Sequence, residues 1–475
     1  MTIYPLYLNG EFVRLEKSIS VINPATGEAF AGISSGGLAE TERAIHDAHA
    51  AFSGWRRRTG LERGEFLQKI AAEMERRKDE LARVVTLENG KPLAQSLSEV
   101  AMSIDHLRWF AGEARRAYGR TIPHQVEGKR HLVIKTPMGV IAAISPWNFP
   151  LMLAVRKVAP ALAAGCPVIL KPARQTPICA AVFAECVHAA GLPPGVFQLV
   201  VGPASEIAEE FLENPLCRKI TFTGSTEVGK LLIRGAASQV KPLALELGGL
   251  APVLIFADAR LEQAVAGAML AKFRNTGQSC IAANRIFVER SIYEAFLEAF
   301  VAKTRALKVG DGLEPGVDIG PLIDGEAAAK ATRQVEDAVA RGARLLCGGK
   351  CRPGKGTFFF EPTVLAEVPA DGLCLHEETF APIAAIAPFD TEAEAIERAN
   401  ASPYGLSAYA FTHDLGRAFR LMESLDAGII GINDGVPTAT QAPFGGVKQS
   451  GWGCELGIEG MEEFLDTKHV SLGIG

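Results

Sequence analysis

Residues 140–171 read VIAAISPWNFPLMLAVRKVAPALAAGCPVILK. An apolar run, Val140 to Ile144, leads into a turn bounded by Pro146 and Pro150, a helix-length apolar segment over 151–164, and a second short run, Val168 to Leu170. Short apolar runs alternating with helix-length segments predict βα units feeding a parallel sheet, whose strands are covered on both faces. The alternation continues outward, with strands expected at Phe197 to Val201 and Ile220 to Thr223, and helices over 177–190 and 204–213, punctuated by Pro or Gly. After Glu246-Leu247-Gly248-Gly249 it restarts: Val253 to Phe256, a helix to about 273, Ile286 to Val288 and a helix to about 307. Ala384 to Phe389, a helix from Thr391, Ser407 to Phe411 and Gly428 to Asn433 follow. A second α/β unit is therefore expected, and no fixed-period repeat is found.

Upstream, over 38–117, apolar residues recur every three or four positions, as in Ala44, Ile45, Ala48 and Phe52, which predicts a helical region. It ends at Tyr118-Gly119-Arg120, after which His131 to Ile134 reads as extended. A second extended piece, Phe464 to Val470, closes the Gly-rich tail that starts at Pro443. These two pieces could pair with each other or across a subunit boundary. An exposed unpaired edge is a liability, so a homo-oligomer is expected.

The chain has 475 residues, 48% of them hydrophobic, too many for one ordinary core. Lys and Arg number 49 against 54 Asp and Glu, so no field attracts polyanions, and nucleic acid is not expected as a partner. No apolar stretch reaches membrane-spanning length and MTIYPLYLNGEFV lacks the pattern of a secretory leader, which predicts a cytoplasmic protein without membrane association. The nine Cys are scattered and contain no CxxC, so neither a disulfide framework nor a metal site is expected. Cys347 with Cys351, and His46 with His49, lack further ligands at metal spacing.

No GxGxxG follows the first strand, so the usual dinucleotide fingerprint is missing. Ile220 to Thr223 instead runs into Gly224-Ser225-Thr226-Glu227-Val228-Gly229-Lys230, a strand, tight turn and helix start whose backbone N–H groups suit a phosphate, unless the glycines only shape the turn. The P-loop pattern fails because Leu231 stands where a hydroxyl is needed for magnesium. Among the cysteines, Cys280 lies in the small polar segment Asn275-Thr276-Gly277-Gln278-Ser279-Cys280, whereas most others lie in apolar runs, where a thiol is inert. Asn148 follows the strand at 140–144, where its amide can donate to an oxyanion. Glu246 ends another strand, as a general base or as a paired core carboxylate.

Seven segments in order, PWNFP (146–150), KPA (171–173), FTGSTEVGK (222–230), LELGG (245–249), GQSC (277–280), EETF (377–380) and PFGGVKQSG (443–451), resemble the aldehyde dehydrogenase superfamily from Leu6 to Leu472. The resemblance implies an α/β fold with a Rossmann-like cofactor domain (1–118 and 140–247), an α/β catalytic domain (248–442), and a small oligomerisation arm with the C-terminal tail (119–139 and 443–475). It implies that Cys280 is the nucleophile, that Asn148 with the Cys280 N–H holds the oxyanion, and that Glu246 activates the hydrolytic water. For a dinucleotide, NADP or NAD, it implies contacts from Trp147, Lys171, Gly224, Ser225, Glu378 and Phe380, with Ala381 where the family usually has Gly. Arg174 stands where many members carry a ribose-binding Glu; this reversed charge favours NADP.

Within the superfamily the chain most resembles succinate-semialdehyde dehydrogenases. Arg156 and Arg274 match two arginines that grip the substrate carboxylate, so an aldehyde with a distal carboxylate is expected as substrate, in a homodimer or homotetramer. Arg156 lies eight residues beyond Asn148, two turns along one helix, and is expected to face the same cavity. Ala439 replaces a carboxylate-binding Ser, leaving Thr438 or Thr440 to supply that hydroxyl, and Ile281-Ala282 leaves no second Cys beside Cys280. Glutarate or 2-oxoglutarate semialdehyde is the alternative substrate. A CoA-acylating enzyme would not need Glu246, and a non-catalytic relative would have lost one of Asn148, Glu246 and Cys280; all three are present.

Overall fold

The computed structural model of the chain describes residues 1–352 and 357–474. The run Val140–Ile144 is a fully buried strand at the centre of an eight-stranded sheet. Cys217–Thr223 and Val168–Lys171 flank it in parallel, followed outward by Leu243–Glu246 on one side and Phe197–Leu199 on the other. Apolar residues on both strand faces account for this, since helices cover both sides of a parallel sheet.

The helical N-terminal region consists of α1 (Leu38–Trp55), α2 (Gly60–Arg76), α3 (Lys78–Asn89) and α4 (Leu93–Glu113). The crossover helices are α5 (Pro150–Ala164), α6 (Ile178–Ala189), α7 (Ala204–Glu213) and α8 (Thr226–Ala236). Helix α5 is buried all round because it is wedged between α4 and the sheet. Residues 2–34 contribute strands that periodicity does not reveal. Leu6–Leu8 pairs antiparallel with Phe197–Leu199 and carries Glu11–Val13 as the sheet's last strand. At the opposite edge Gly451–Trp452 pairs antiparallel with Leu243–Glu246.

A seven-stranded sheet forms the second unit, in the order Arg344–Cys347, Thr363–Ala366, Ile383–Phe389, Ala283–Glu289, Ala251–Ile255, Ser407–Phe411, Ile429–Ile432. It is parallel except for the Arg344–Cys347 edge. Helix α9 (Leu261–Phe273) packs on it and delivers the chain to Cys280.

The two extended pieces pair with each other. Lys129–Pro137 and Leu465–Gly473 form a nine-residue antiparallel ladder, with Arg120–Ile122 as third strand. Among the described residues no helix is long and apolar enough to cross a membrane, and no three His, Cys, Asp or Glu residues converge as metal ligands.

Candidate active site

Four parallel strands of the first sheet end on one side of it, which is where α/β sheets place functional groups. Asn148 follows Val140–Ile144, Lys171 ends its own strand, Gly224 follows Cys217–Thr223, and Glu246 ends Leu243–Glu246. Two adjoining cavities, about 410 and 660 Å³, share Pro146, Trp147, Thr223, Gly224 and Ser225 in their walls.

The first cavity brings together Asn148, Cys280, Trp147, Glu378 and Phe380. Cys280 sits in a turn reached through Asn275, Thr276 and Gly277, all with positive φ (50°, 59° and 74°). Left-handed backbone is costly for a β-branched residue, so tertiary contacts must hold it. They are present: Thr276 Oγ1 donates to the Gly320 carbonyl at 3.2 Å, and Asn275 Nδ2 donates to the carbonyls of Asn148 (2.8 Å) and Gln278 (3.1 Å). Gly277 admits no side chain, as a Cβ would lie 2.3 Å from the Ala381 oxygen. Gly249 is equally constrained, its Cβ position being 2.3 Å from the Cys280 carbonyl oxygen. The LELGG turn and the Cys280 loop thus meet backbone to backbone.

The Asn148 side chain donates through Nδ2 to the Gln278 carbonyl at 3.2 Å, so its amide faces the Cys280 loop. Burial, then the Glu378 and Glu246 charges, push the Cys280 thiol up to about 12, while Arg156 pulls it down. Glu246 does not line the cavity; its neighbours Leu247 and Gly248 do. Its buried carboxylate has Oε2 without a partner, and burial followed by the Glu455 charge holds its pKa well above the ordinary carboxylate value, against the pull of Lys157 and Arg156.

Glu378 accepts a hydrogen bond from the Gly249 N–H at 3.0 Å and is pushed up to about 7, chiefly by withdrawal from solvent. Trp147 and Phe380 meet edge to face, their centroids 5.5 Å apart. The second cavity is lined by Lys171, Arg174, Gly224 and Ser225, and no Asp or Glu lies in its wall. Ser225 caps α8, accepting from the Val228 N–H at 3.3 Å, so the positive end of that helix faces the junction of the two cavities. Burial lowers the Lys171 ammonium to about 8. These features fit a dinucleotide: a helix N-terminus for the pyrophosphate, cations at one end, and a carboxylate and two aromatic rings at the other.

The substrate-side candidates stand outside these two cavities. Arg156, Arg274 and Thr438 line neither cavity. Arg156 is 2% exposed and turned to Glu455, with Nη1 3.7 Å from Oε2 and the guanidinium 4.5 Å above the Phe444 ring. It lies beside a carboxylate supplied by the C-terminal tail, near enough to Cys280 for its charge to lower that thiol's pKa. Lys157 bonds the same Glu455. Arg274 has no carboxylate within ion-pair distance among the described residues; it touches Met102 Sδ (3.8 Å) and lies 5.0 Å over the Phe149 ring. Thr438 is half-exposed, and the Thr440 hydroxyl is already donated to Asp105.

Sequence reading missed Glu455 and Lys157, although a carboxylate in the Gly-rich tail and a second cation beside Arg156 were visible. It also missed the fully buried pair Lys91 and Glu99, joined at 2.6 Å, although a Lys between Gly90 and Pro92 at a helix boundary is unusual.

Residues 12–470 match the model of the aldehyde dehydrogenase family. The chain is 48% identical to a 3-sulfolactaldehyde dehydrogenase of Pseudomonas putida (98% of this chain, 96% of the relative). It is 46% identical to a glutarate-semialdehyde dehydrogenase of Pseudomonas putida and 45% to an NADP(+) succinate-semialdehyde dehydrogenase of Escherichia coli, each over 98% of this chain and 97% of the relative. The solved structure of a succinate-semialdehyde dehydrogenase from Burkholderia pseudomallei superposes with a TM-score of 0.97 at 44% identity, covering 99% of this chain and 98% of that one. The chain therefore belongs to the aldehyde dehydrogenase family, with that family's α/β fold, and is an NAD(P)-dependent aldehyde dehydrogenase.

Proposed function

We propose that the enzyme oxidises a semialdehyde bearing a terminal carboxylate, succinate semialdehyde first, with Cys280 as nucleophile and NADP favoured over NAD. Arg274 carries this reading: a partly buried guanidinium with no carboxylate within ion-pair distance among the described residues, six residues before Cys280, is free to take an anion. The names of three relatives support it, since sulfolactaldehyde and the two semialdehydes all carry an anion away from the aldehyde.

Cys280, as thiolate, adds to the aldehyde carbon; the Asn148 amide and the Cys280 N–H donate to the oxyanion that forms. Trp147, Phe380 and Glu378 would hold the nicotinamide end of the cofactor, Gly224 and Ser225 its pyrophosphate, and Lys171 its adenosine ribose. The cofactor, when bound, supplies the hydride acceptor. Glu246 then takes a proton from the water that cleaves the thioester, which requires its carboxylate to swing from the Glu455 side into the cavity. Arg174, exposed in a wall free of acids, can meet a 2′-phosphate, and the NADP(+) in the name of the Escherichia coli relative agrees.

The first sheet with its helices is read as the cofactor domain (1–118 and 140–247), the second as the catalytic domain (248–442), and the three-stranded ribbon with the tail (119–139 and 443–475) as the oligomerisation arm. Leu465–Gly473 is an edge strand of that ribbon, and Ile122, Ile134 and Leu472 on it are exposed. Such an edge suits a homodimer or homotetramer. Nine free thiols, one of them the nucleophile, suit a reducing cytoplasm.

The test is a panel of initial rates with four- to six-carbon semialdehydes, sulfolactaldehyde and matched neutral aldehydes, each with NAD and with NADP. A clear preference for anionic aldehydes is expected, and equal kcat/KM for butanal would refute the assignment.

A further inference from the structure

We propose that Lys91, locked to Glu99, is the positioning residue that aims the Asn148 amide at the reacting carbon. This inference rests on the reading of Asn148 as oxyanion donor. Helix α3 ends at Asn89, Gly90 turns the chain with φ +88°, and Lys91 and Pro92 lead into α4. The side chains of Lys91 and Glu99 are both 0% exposed. Lys91 Nζ donates to Glu99 Oε2 at 2.6 Å and to the Asn148 carbonyl at 2.6 Å, and stands 3.9 Å from the centroid of the Phe149 ring. Glu99 Oε1 accepts from the N–H groups of Leu151 (3.0 Å) and Met152 (3.2 Å), in the first turn of α5. One buried ion pair thus grips the PWNFP turn at Asn148 itself and again three and four residues later.

The surroundings tighten the same point. Asn89 Nδ2 donates to the Trp147 carbonyl at 3.0 Å, and Asn275 Nδ2 reaches the Asn148 carbonyl from the nucleophile loop at 2.8 Å. The α3–α4 junction also contacts the second unit: the Leu93 N–H donates to the Gly312 carbonyl at 2.8 Å, and a Cβ on Gly320 would lie 2.0 Å from the Gly90 oxygen. From Gly320 the chain runs to Pro321 and Ile323, which bind the Gln278 side chain two residues before Cys280. The oxyanion donor and the nucleophile loop therefore refer to one frame, and the charge pair is its fastener. A buried ion pair adds little net stability over apolar residues of the same volume, so its value here lies in direction: an ammonium and a carboxylate fix the turn where methyl groups would let it slide. An error of 1 Å in such a donor is costly in rate.

A double-mutant cycle tests this. Lys91→Met alone strands a buried carboxylate and is expected to unfold, so the change is Lys91→Met with Glu99→Gln, made in the wild type and in Asn148→Ala. Hydride transfer is followed in a single turnover, with cofactor Kd and Tm measured alongside. In the wild type the paired change is expected to slow hydride transfer roughly 10- to 100-fold, with cofactor Kd altered less than about threefold. In Asn148→Ala the same change should cost less than about threefold, because the group it aims is gone. An equal loss in both backgrounds, as from general loosening, or no loss in the wild type, overturns the inference. If Asn148→Ala itself retains the wild-type rate, the oxyanion reading fails first. Should the paired change not fold, Glu99→Gln alone, which keeps a carbonyl for Leu151 and Met152 and loosens only Lys91, completes the same cycle.

Discussion

Arg274 and Arg156 make different demands on the protein, and truncating each should produce different kinetics. Arg274 has no carboxylate within ion-pair distance among the described residues, so Arg274→Ala breaks no ion pair and forfeits contacts to Met102 and Phe149 and a longer-range attraction to Glu99, which keeps its Lys91 partner. Its loss should be felt by a substrate anion alone. A hydrogen bond to a charged group contributes about 1.5–3 kcal/mol, which is roughly 10- to 100-fold in kcat/KM at 1.4 kcal/mol per decade. The ratio of kcat/KM for succinate semialdehyde to that for butanal should fall by this factor. Arg156 belongs instead to a buried cluster with Glu455 and Lys157, and its charge draws down the Glu246 carboxyl. Arg156→Ala should raise the proton affinity of Glu246 and slow thioester hydrolysis for every substrate. That step lies after hydride transfer, so the loss should appear in kcat for both aldehydes, with less change in their kcat/KM ratio. The assay is steady-state production of reduced cofactor with both aldehydes in the three proteins. A ratio unchanged within about twofold in Arg274→Ala would show that no anion site stands there, given the strength of charged contacts.

Cys280→Ala should abolish turnover while leaving cofactor Kd, read by fluorescence titration, unchanged. Glu246→Gln should give one rapid burst of reduced cofactor followed by turnover roughly 10²- to 10⁴-fold slower, and loss of the burst itself would place Glu246 in an earlier step. Arg174→Glu should shift the NADP:NAD ratio of kcat/KM toward NAD; a wild type that strongly prefers NAD, and a variant that matches it, would remove Arg174 from the cofactor site. The last prediction concerns pH. Glu246 must be ionised to act, and burial with the Glu455 charge holds its pKa high, so kcat should rise with pH until that carboxyl is ionised. Glu455→Gln removes one raising charge and leaves Lys157 and Arg156 to lower the pKa further, so the acid limb of the kcat profile should move to lower pH. A shift to higher pH would contradict this electrostatic account.

The strands legible in the sequence are those buried on both faces. Ser407–Phe411 and Val140–Ile144 lie where the apolar runs stand, because nothing but the sheet's centre accommodates five buried residues in a row. Leu6–Leu8 and Glu11–Val13 escaped because they are three-residue strands, too short to show a period. Helix Gly325–Ala340 was also missed; its alanines and charges give a narrow buried stripe, Ala328, Ala331, Val335 and Ala338. Cys280 and Asn148 drew attention by their settings, and the structure brings both to one cavity, whereas the pairings around them could not be read. Lys157 and Glu455 are 298 positions apart, and Arg156 and Lys157 are adjacent cations on a helix that is buried all round. Periodicity cannot say which of two such neighbours meets a carboxylate delivered by the far end of the chain.

Local preference is most clearly violated at the segment that presents Cys280. Asn275, Thr276 and Gly277 succeed one another in left-handed backbone, and only the glycine is at ease there. A β-branched Thr in that region costs on the order of 1–3 kcal/mol, which the surrounding structure must offset. The Asn275 N–H is held by Gln95 of α4, the Asn275 amide by the Asn148 carbonyl, and the Thr276 hydroxyl by Gly320. These anchors come from the helical region, the PWNFP turn and the second unit in turn. The strained loop can persist only when all three are assembled around it, so the geometry of Cys280 is a property of the finished tertiary structure. For that reason the candidate residues could be singled out by type and setting, while the strain that shapes their loop lay beyond any local rule of the sequence.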